Sequence, residues 1–310
     1  MRKTVLTAMT ALGAGVAVVL TTGLSTAQPQ AAPWQRVGDD MKSGISGLAV
    51  TSRSGDDLRA LVVRDNKRPG DNRIAEVTQH PGRPTEVTPI TWLSGAEPVD
   101  LEALDAVPGT SDEYVAVASR GLAYHLKLAD AGEAVQVLDI APLPAIGAGD
   151  DFESFTLTSR KGKTAAVWAD RGEGSGRPAT LYAAPFSVNS YGESKFGAVD
   201  KATLRAPYPK ADVRHASDIE VTKSGRLLVS SASDAGDDGP FDSAVSDAGR
   251  LFITSSGKVR LSVDKSPEVL EKFDGYKIEA LNCVPGSAIA ALGTDDENAG
   301  GSLTTRRLCD

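Results

Sequence analysis

The sequence predicts an all-β protein, a five-bladed β-propeller whose four-stranded antiparallel blades surround a central channel. Three observations lead there. A bulky apolar residue followed by a glutamate recurs at Leu101-Glu102, Phe152-Glu153, Ile219-Glu220 and Ile278-Glu279. Each copy opens a strand-like stretch, and about four such stretches fit between one copy and the next. No helical pattern of convincing length interrupts them. A four-stranded unit repeated at about fifty residues is the signature of a propeller blade.

A fifth copy lies upstream. The stretch GISGL at 44–48 fits the register with Ser46 in the place of the glutamate. The resulting intervals are 56, 51, 67 and 59 residues. In each unit a second apolar run follows the register residue, as in LRALVVRDN, YVAVASRG and TAAVWADRG. Third strands follow in RIAEVTQ, LAYHLKL and ATLYAAPFSV, and the turns between are rich in Gly, Asp and Ser, as hairpins require. The last unit lacks a fourth strand because the chain stops at Asp310. The N-terminal PWQRVG at 33–38 is expected to supply it and to close the ring.

The first residues stand apart from this pattern. A basic start (Arg2, Lys3), an apolar middle and a small-x-small end at Ser25-Thr26-Ala27 read as a secretory signal peptide over 1–27. Residues 28–310 are then one propeller domain, secreted and expected to act as a monomer. Without Arg2 and Lys3 the chain carries 31 basic against 41 acidic residues, a net charge of −10. That balance disfavours nucleic acid polymers and anionic membranes as partners. Cys283 and Cys309 are the only cysteines, and in an oxidising compartment they are expected to form a disulfide.

In a propeller the first strand of each blade lines the channel. Ser46, Glu102, Glu153, Glu220 and Glu279 are therefore expected to ring its mouth. Carboxylates roughly 5–6 Å apart, at an effective dielectric of about 20, repel by about 3 kcal/mol per pair. Some must hold protons, or a cation must sit among them. An all-oxygen shell outside the cell suits Ca2+, and no cluster of Cys or His proposes zinc.

The ends of the second strands form a wider circle. Arg120 and Arg171 there would bind an anionic group, and Asp170 would orient or deprotonate a water. His215, five residues before Glu220, is a candidate acid or base at the mouth. Each has a plainer reading: Asp-Arg pairs are ordinary turn chemistry, and a lone His before a strand is commonly structural.

The closing unit, YKIEALNCVPGSAIAALGTDDENAGG, resembles the last blade of the calcium-dependent apyrases. The phytase-like and esterase-like propellers have a similar strand start. The resemblance implies a secreted five-bladed propeller that hydrolyses nucleoside di- and triphosphates, with Ser46, Glu102, Glu153, Glu220 and Glu279 as the calcium ring. Three kinds of function are open. One is a calcium-dependent hydrolase of a phosphate or other ester, acting on a small anionic substrate. Another is a non-catalytic propeller that binds a ligand or protein around a structural ion; a lyase acting on acidic sugars is a third.

Overall fold

The structure, a computed structural model, describes residues 32–93, 97–129 and 132–310. The predicted signal peptide lies outside the described residues. Five antiparallel sheets follow one another along the chain. A short strand β1 (Gln35–Arg36) precedes blade 1, which contains β2 (Gly47–Ser54), β3 (Asp57–Val63), β4 (Ile74–Gln79) and β5 (Glu86–Pro89). Strand β6 (Thr91–Trp92) leads to blade 2, with β7 (Leu101–Ala106), β8 (Glu113–Ala118), β9 (Leu122–Leu128) and β10 (Ala134–Pro142). β6 returns as a parallel fifth strand beside β10.

Blade 3 holds β11 (Phe152–Arg160), β12 (Lys163–Asp170) and β13 (Ala179–Val188); β14 (Ser194–Phe196) and β15 (Asp200–Leu204) share its outer edge. Blade 4 holds β16 (Val213–Val221), β17 (Arg226–Ser233), β18 (Asp242–Ile253) and β19 (Val259–Asp274). Blade 5 holds β20 (Ile278–Cys283), β21 (Ala290–Thr294) and β22 (Ser302–Arg306). The predicted five-bladed, all-β fold is the observed one.

The sequence pattern follows from position in the blade. Inner strands are covered on both sides, so β12 reads as a continuous buried run from Ala165 to Asp170. β10 at the outer edge alternates, with Val135 buried and Gln136 exposed. Burial is concentrated between blades. Among the described residues five apolar clusters form, one at each joint. Between blades 2 and 3, for example, Val117 and Leu143 pack with Phe152, Phe155 and Trp168.

The ring closes as the sequence predicts. β1 pairs antiparallel with β22, Gln35 opposite Leu303, and becomes the fourth strand of blade 5. Trp34 anchors this strand, stacking on Tyr276 at 4.2 Å between ring centroids and meeting Phe273 edge-on. The Arg306 guanidinium lies 5.6 Å from the Trp34 ring. Cys283 and Cys309 are bridged, tying the end of the chain to β20. No helix among the described residues is long and apolar enough to cross a membrane.

Because Trp34 joins the first and last strands, its loss should open the ring at its seam. Trp34→Ala is expected to cost about 2 kcal/mol, below the range for a fully buried aromatic because Trp34 is half-buried. Urea unfolding followed by far-UV circular dichroism measures it.

Candidate active site

One backbone hydrogen bond recurs where the inner strands begin and aligns the blades. Ser119 N–H donates to Asp100 O, Arg171 N–H to Asp151 O, Asp234 N–H to Asp212 O and Asp295 N–H to Lys277 O, at 2.7–3.0 Å. The equivalent positions are thus Asp100, Asp151, Asp212 and Lys277. Asp100 and Asp212 also share a left-handed φ, 66° and 47°. Two residues further on come Glu102, Glu153, Arg214 and Glu279. In blades 2, 3 and 5 the glutamate is the extra residue of a β-bulge: pairing passes from Leu101 to Ala103, from Phe152 to Ser154 and from Ile278 to Ala280. Such a bulge re-aims a side chain at the end of a strand.

Blade 4 departs from the prediction. Its pairing passes from Arg214 directly to Asp218, so the irregularity spans three residues, His215–Ser217. Arg214 therefore takes the ring position that the sequence assigned to Glu220. Glu220 lies opposite Leu228, near the far end of the strand, where it lines a cleft of about 620 Å³ with Lys223 and the disulfide. Asn282 Nδ2 donates to its Oε2 at 2.9 Å. The signal missed is the shared Asp-apolar-x pattern of Asp100-Leu101-Glu102, Asp151-Phe152-Glu153 and Asp212-Val213-Arg214.

The mouth divides into two halves. On the side of blades 3 to 5, Arg214 Nη1 donates to Glu153 Oε1 at 3.1 Å and to Glu279 Oε1 at 3.0 Å. Its Nε and Nη2 hold Asp234 Oδ2 at 3.0 and 2.7 Å. Arg171 Nη1 adds a bond to Glu153 Oε1 at 2.9 Å, and Lys277 Nζ lies 2.9 Å from Glu279 Oε1 while also binding Glu297. Burial works against the charge of Lys277, which is only 1 % exposed, but Glu279 and Glu297 outweigh it and hold the ammonium well above its usual range. Burial pushes Glu153 up to about 7 against the pull of Arg214 and Arg171.

On the side of blades 1 and 2, Asp65, Asp100 and Glu102 each place an oxygen within 4.8 Å of the others. All three are half-buried and remain reachable from solvent. Burial, then the nearby Glu153, Glu279 and Asp100 charges, raises Glu102 well above the usual carboxyl range. Burial acts on Asp100 in the same direction, but hydrogen bonds from Ser119 and Lys67 outweigh it and hold Asp100 low. Burial also raises Asp65. The Lys67 ammonium lies 2.9 Å from Asp100 Oδ1 and 3.7 Å from Asp65 Oδ2. Ser46 is buried, and its Oγ has no hydrogen-bond partner among the described residues.

These placements sort the remaining candidates. Arg171 is at the mouth, bound to Glu153 and 3.3 Å from Asp151. Asp170 is turned outward: it accepts from Asp151 N–H at 3.0 Å and pairs with Arg177. Arg120 is exposed and makes no ion pair among the described residues. His215 is not at the mouth. Its Nε2–H donates to Gly174 O at 2.8 Å and its Nδ1 accepts from Ala206 N–H at 3.1 Å, so both nitrogens are taken by backbone. Burial lowers its pKa, in keeping with a neutral ring that serves the joint between blades 3 and 4.

A calcium ring of the predicted composition does not fit these residues. One predicted ligand, Glu220, is elsewhere; a guanidinium stands in its place; and Glu153 and Glu279 are committed to cationic side chains.

Below the mouth a second polar layer binds the blades together. Asp105 accepts from Thr156 Oγ1 at 2.9 Å and Leu157 N–H at 2.6 Å in blade 3. Asp218 accepts from Leu281 N–H at 2.6 Å, and Asn282 Oδ1 accepts from Val50 N–H at 3.0 Å. Asn282 Nδ2 also reaches Asp105 at 3.3 Å. No signal in the sequence separated these residues from ordinary strand positions.

No family model matches the chain, and no curated protein matches it in sequence. Similar solved structures exist. An endo-arabinanase from Bacillus licheniformis, a GH43 glycoside hydrolase, aligns at 11 % identity with a TM-score of 0.50, over 88 % of this chain and 96 % of that one. The GH43 protein BlXynB of the same bacterium aligns at 14 % identity with a TM-score of 0.43, over 75 % of this chain. The chain spans only 46 % of its length. A GH32 β-fructofuranosidase from Bombyx mori aligns at 10 % identity with a TM-score of 0.44, over 89 % of this chain and 61 % of that one. At these identities the likeness establishes the propeller fold. These neighbours are glycoside hydrolases, whereas the register motif resembles apyrases and phytase-like propellers; what they share with this chain is the fold.

The titrations predict how stability varies with pH. Burial pushes Asp105 and Asp296 up to about 6 and Glu153 up to about 7. An acid raised on folding holds its proton more tightly in the folded state. Its contribution is full below the unfolded pKa, about 4, and is lost as pH rises through 6 to 7. Asp100 and Asp234, which are lowered, act below that window. The melting temperature is therefore expected to fall between pH 5 and pH 8, and Asp105→Asn to reduce that fall; calorimetry across the range checks both.

Proposed function

We propose that this protein is a secreted glycoside hydrolase whose acid and nucleophile are Glu102 and Asp100 at the channel mouth. The observation that carries the reading is the opposite environment of two neighbouring carboxyls within 4.8 Å of each other: burial and nearby acids raise Glu102, while hydrogen bonds from Ser119 and Lys67 hold Asp100 low. Acid–base chemistry needs such a pair. Glu102 would protonate the leaving-group oxygen as Asp100 attacks the anomeric carbon. Water would then cleave the resulting glycosyl ester, with Glu102 now acting as base. Oxygens of the two carboxyls lie within 4.8 Å of each other, too close for the about 6.5–9.5 Å of inversion, so the route proposed is the retaining one.

Asp65 supports the assignment by adding negative charge beside Glu102. Arg120, exposed and without an ion pair among the described residues, offers a guanidinium to substrate hydroxyls or to an acidic sugar. Three accessible carboxyls are the wrong sign for a polyanion, so a phosphate ester is not part of this proposal. The leader at 1–27 and the disulfide support action outside the cytoplasm. Binding without turnover is a second reading, favoured by Lys67, whose contact with Asp100 would compete with a substrate.

The test is a panel of 4-nitrophenyl pentosides and hexosides incubated with the purified protein. Turnover is expected for at least one, with Glu102→Gln and Asp100→Asn each lowering kcat/KM by about 100-fold or more. The first-formed anomer, read by NMR, is expected to be retained; an inverted product would remove Asp100 as nucleophile. Saturation-transfer NMR signals from these sugars without release of nitrophenol would replace hydrolysis with binding.

A further inference from the structure

We infer that Arg214 is the central cation of this propeller, a guanidinium built into the ring, so that the mouth is held together without a metal ion. The inference stands on geometry and does not rest on the proposed hydrolysis.

Four observations carry it. Arg214 occupies the ring position of blade 4, fixed by the Asp234–Asp212 backbone bond and by its own pairing with Ala232. One of its nitrogens bridges glutamates of two other blades, Glu153 of blade 3 and Glu279 of blade 5, at 3.1 and 3.0 Å. The bridge is largely withdrawn from water, with side-chain exposures of 13 % for Arg214, 7 % for Glu153 and 6 % for Glu279. The other nitrogens are anchored on Asp234, so the bridging one is oriented rather than free to swing away.

Charge explains the position. Glu153 and Glu279 would repel one another across the axis. Arg214, Arg171 and Lys277 bring positive charge against them, and each is also held by a further acid, Asp234, Asp151 and Glu297 in turn. A planar guanidinium presents several donors in fixed directions and can bind two carboxylates at once. A divalent ion placed between Glu153 and Glu279 would meet positive side chains already bound to its oxygens, and at Asp65 and Asp100 it would meet the Lys67 ammonium. The extra residues at His215–Ser217 make the arrangement possible, because they let blade 4 present Arg214 at the mouth while returning Asp218 to the layer below.

The experiment is thermal unfolding of the purified protein and of Arg214→Ser, each with EDTA and with 10 mM CaCl2. The wild-type melting temperature is expected to be the same in both. Arg214→Ser removes one partner of a buried pair and is expected to melt roughly 5–10 °C lower in EDTA. Calcium should restore part of that loss, since the vacated position then needs a cation. The proposal is overturned if EDTA lowers the wild-type melting temperature, if Arg214→Ser is as stable as wild type, or if calcium leaves a destabilised Arg214→Ser unchanged. Should that variant fail to fold, Arg214→Lys keeps the charge without the fork. It is expected to melt at an intermediate temperature with no calcium response, and a calcium response there would overturn the proposal.

Discussion

Five strands that begin around one axis bring their first side chains into a small shared volume, and the charges there must cancel. This constraint governs the channel mouth. Glu102, Glu153 and Glu279 each occupy a bulge that aims them inward, so their mutual repulsion is built into the backbone. Arg214, Arg171 and Lys277 supply the opposing charge. A carboxylate buried without such partners would be strongly disfavoured as an anion and would take up a proton instead.

The cancellation is uneven, and the unevenness makes a site. Blades 3 to 5 hold their carboxylates under cationic side chains. Blades 1 and 2 leave Asp65, Asp100 and Glu102 together with one exposed ammonium, Lys67. Two neighbouring carboxyls there sit in different environments, which raise Glu102 and lower Asp100. In the layer below, Asp105, Asp218 and Asn282 accept hydrogen bonds from backbone N–H groups of neighbouring blades, which ties the blades together beneath the mouth. Precise placement of reacting groups requires support of this kind.

The apolar-Glu motif located three of the ring residues correctly because, in blades 2, 3 and 5, sequence register and spatial register coincide. In blade 4 they do not. Asp218-Ile219-Glu220 reproduces the motif, yet three residues at the irregular pairing displace it along the strand and leave Arg214 at the mouth. His215 shows the same effect: its proximity in sequence to the motif placed it at the mouth, whereas the strand turns it toward Gly174 and Ala206 at a blade joint. Asp170 and Arg171 are adjacent in sequence and face opposite ways. Alternation along a strand sends one to Arg177 and the other to Glu153.

By itself the sequence determined the number of blades, the closing role of residues 33–38 and the disulfide. All three follow from repeat length, strand alternation and cysteine count, which are local or additive properties of the chain. Only the tertiary structure decided which charges meet. A single bulge shifts every later side chain of its strand, so the bridge from Arg214 to Glu153 and Glu279 joins residues 61 and 65 positions apart that no local pattern pairs. The sequence required that some of these carboxyls hold protons or share a cation; that a guanidinium of the chain itself bridges Glu153 and Glu279 is a property of the folded ring.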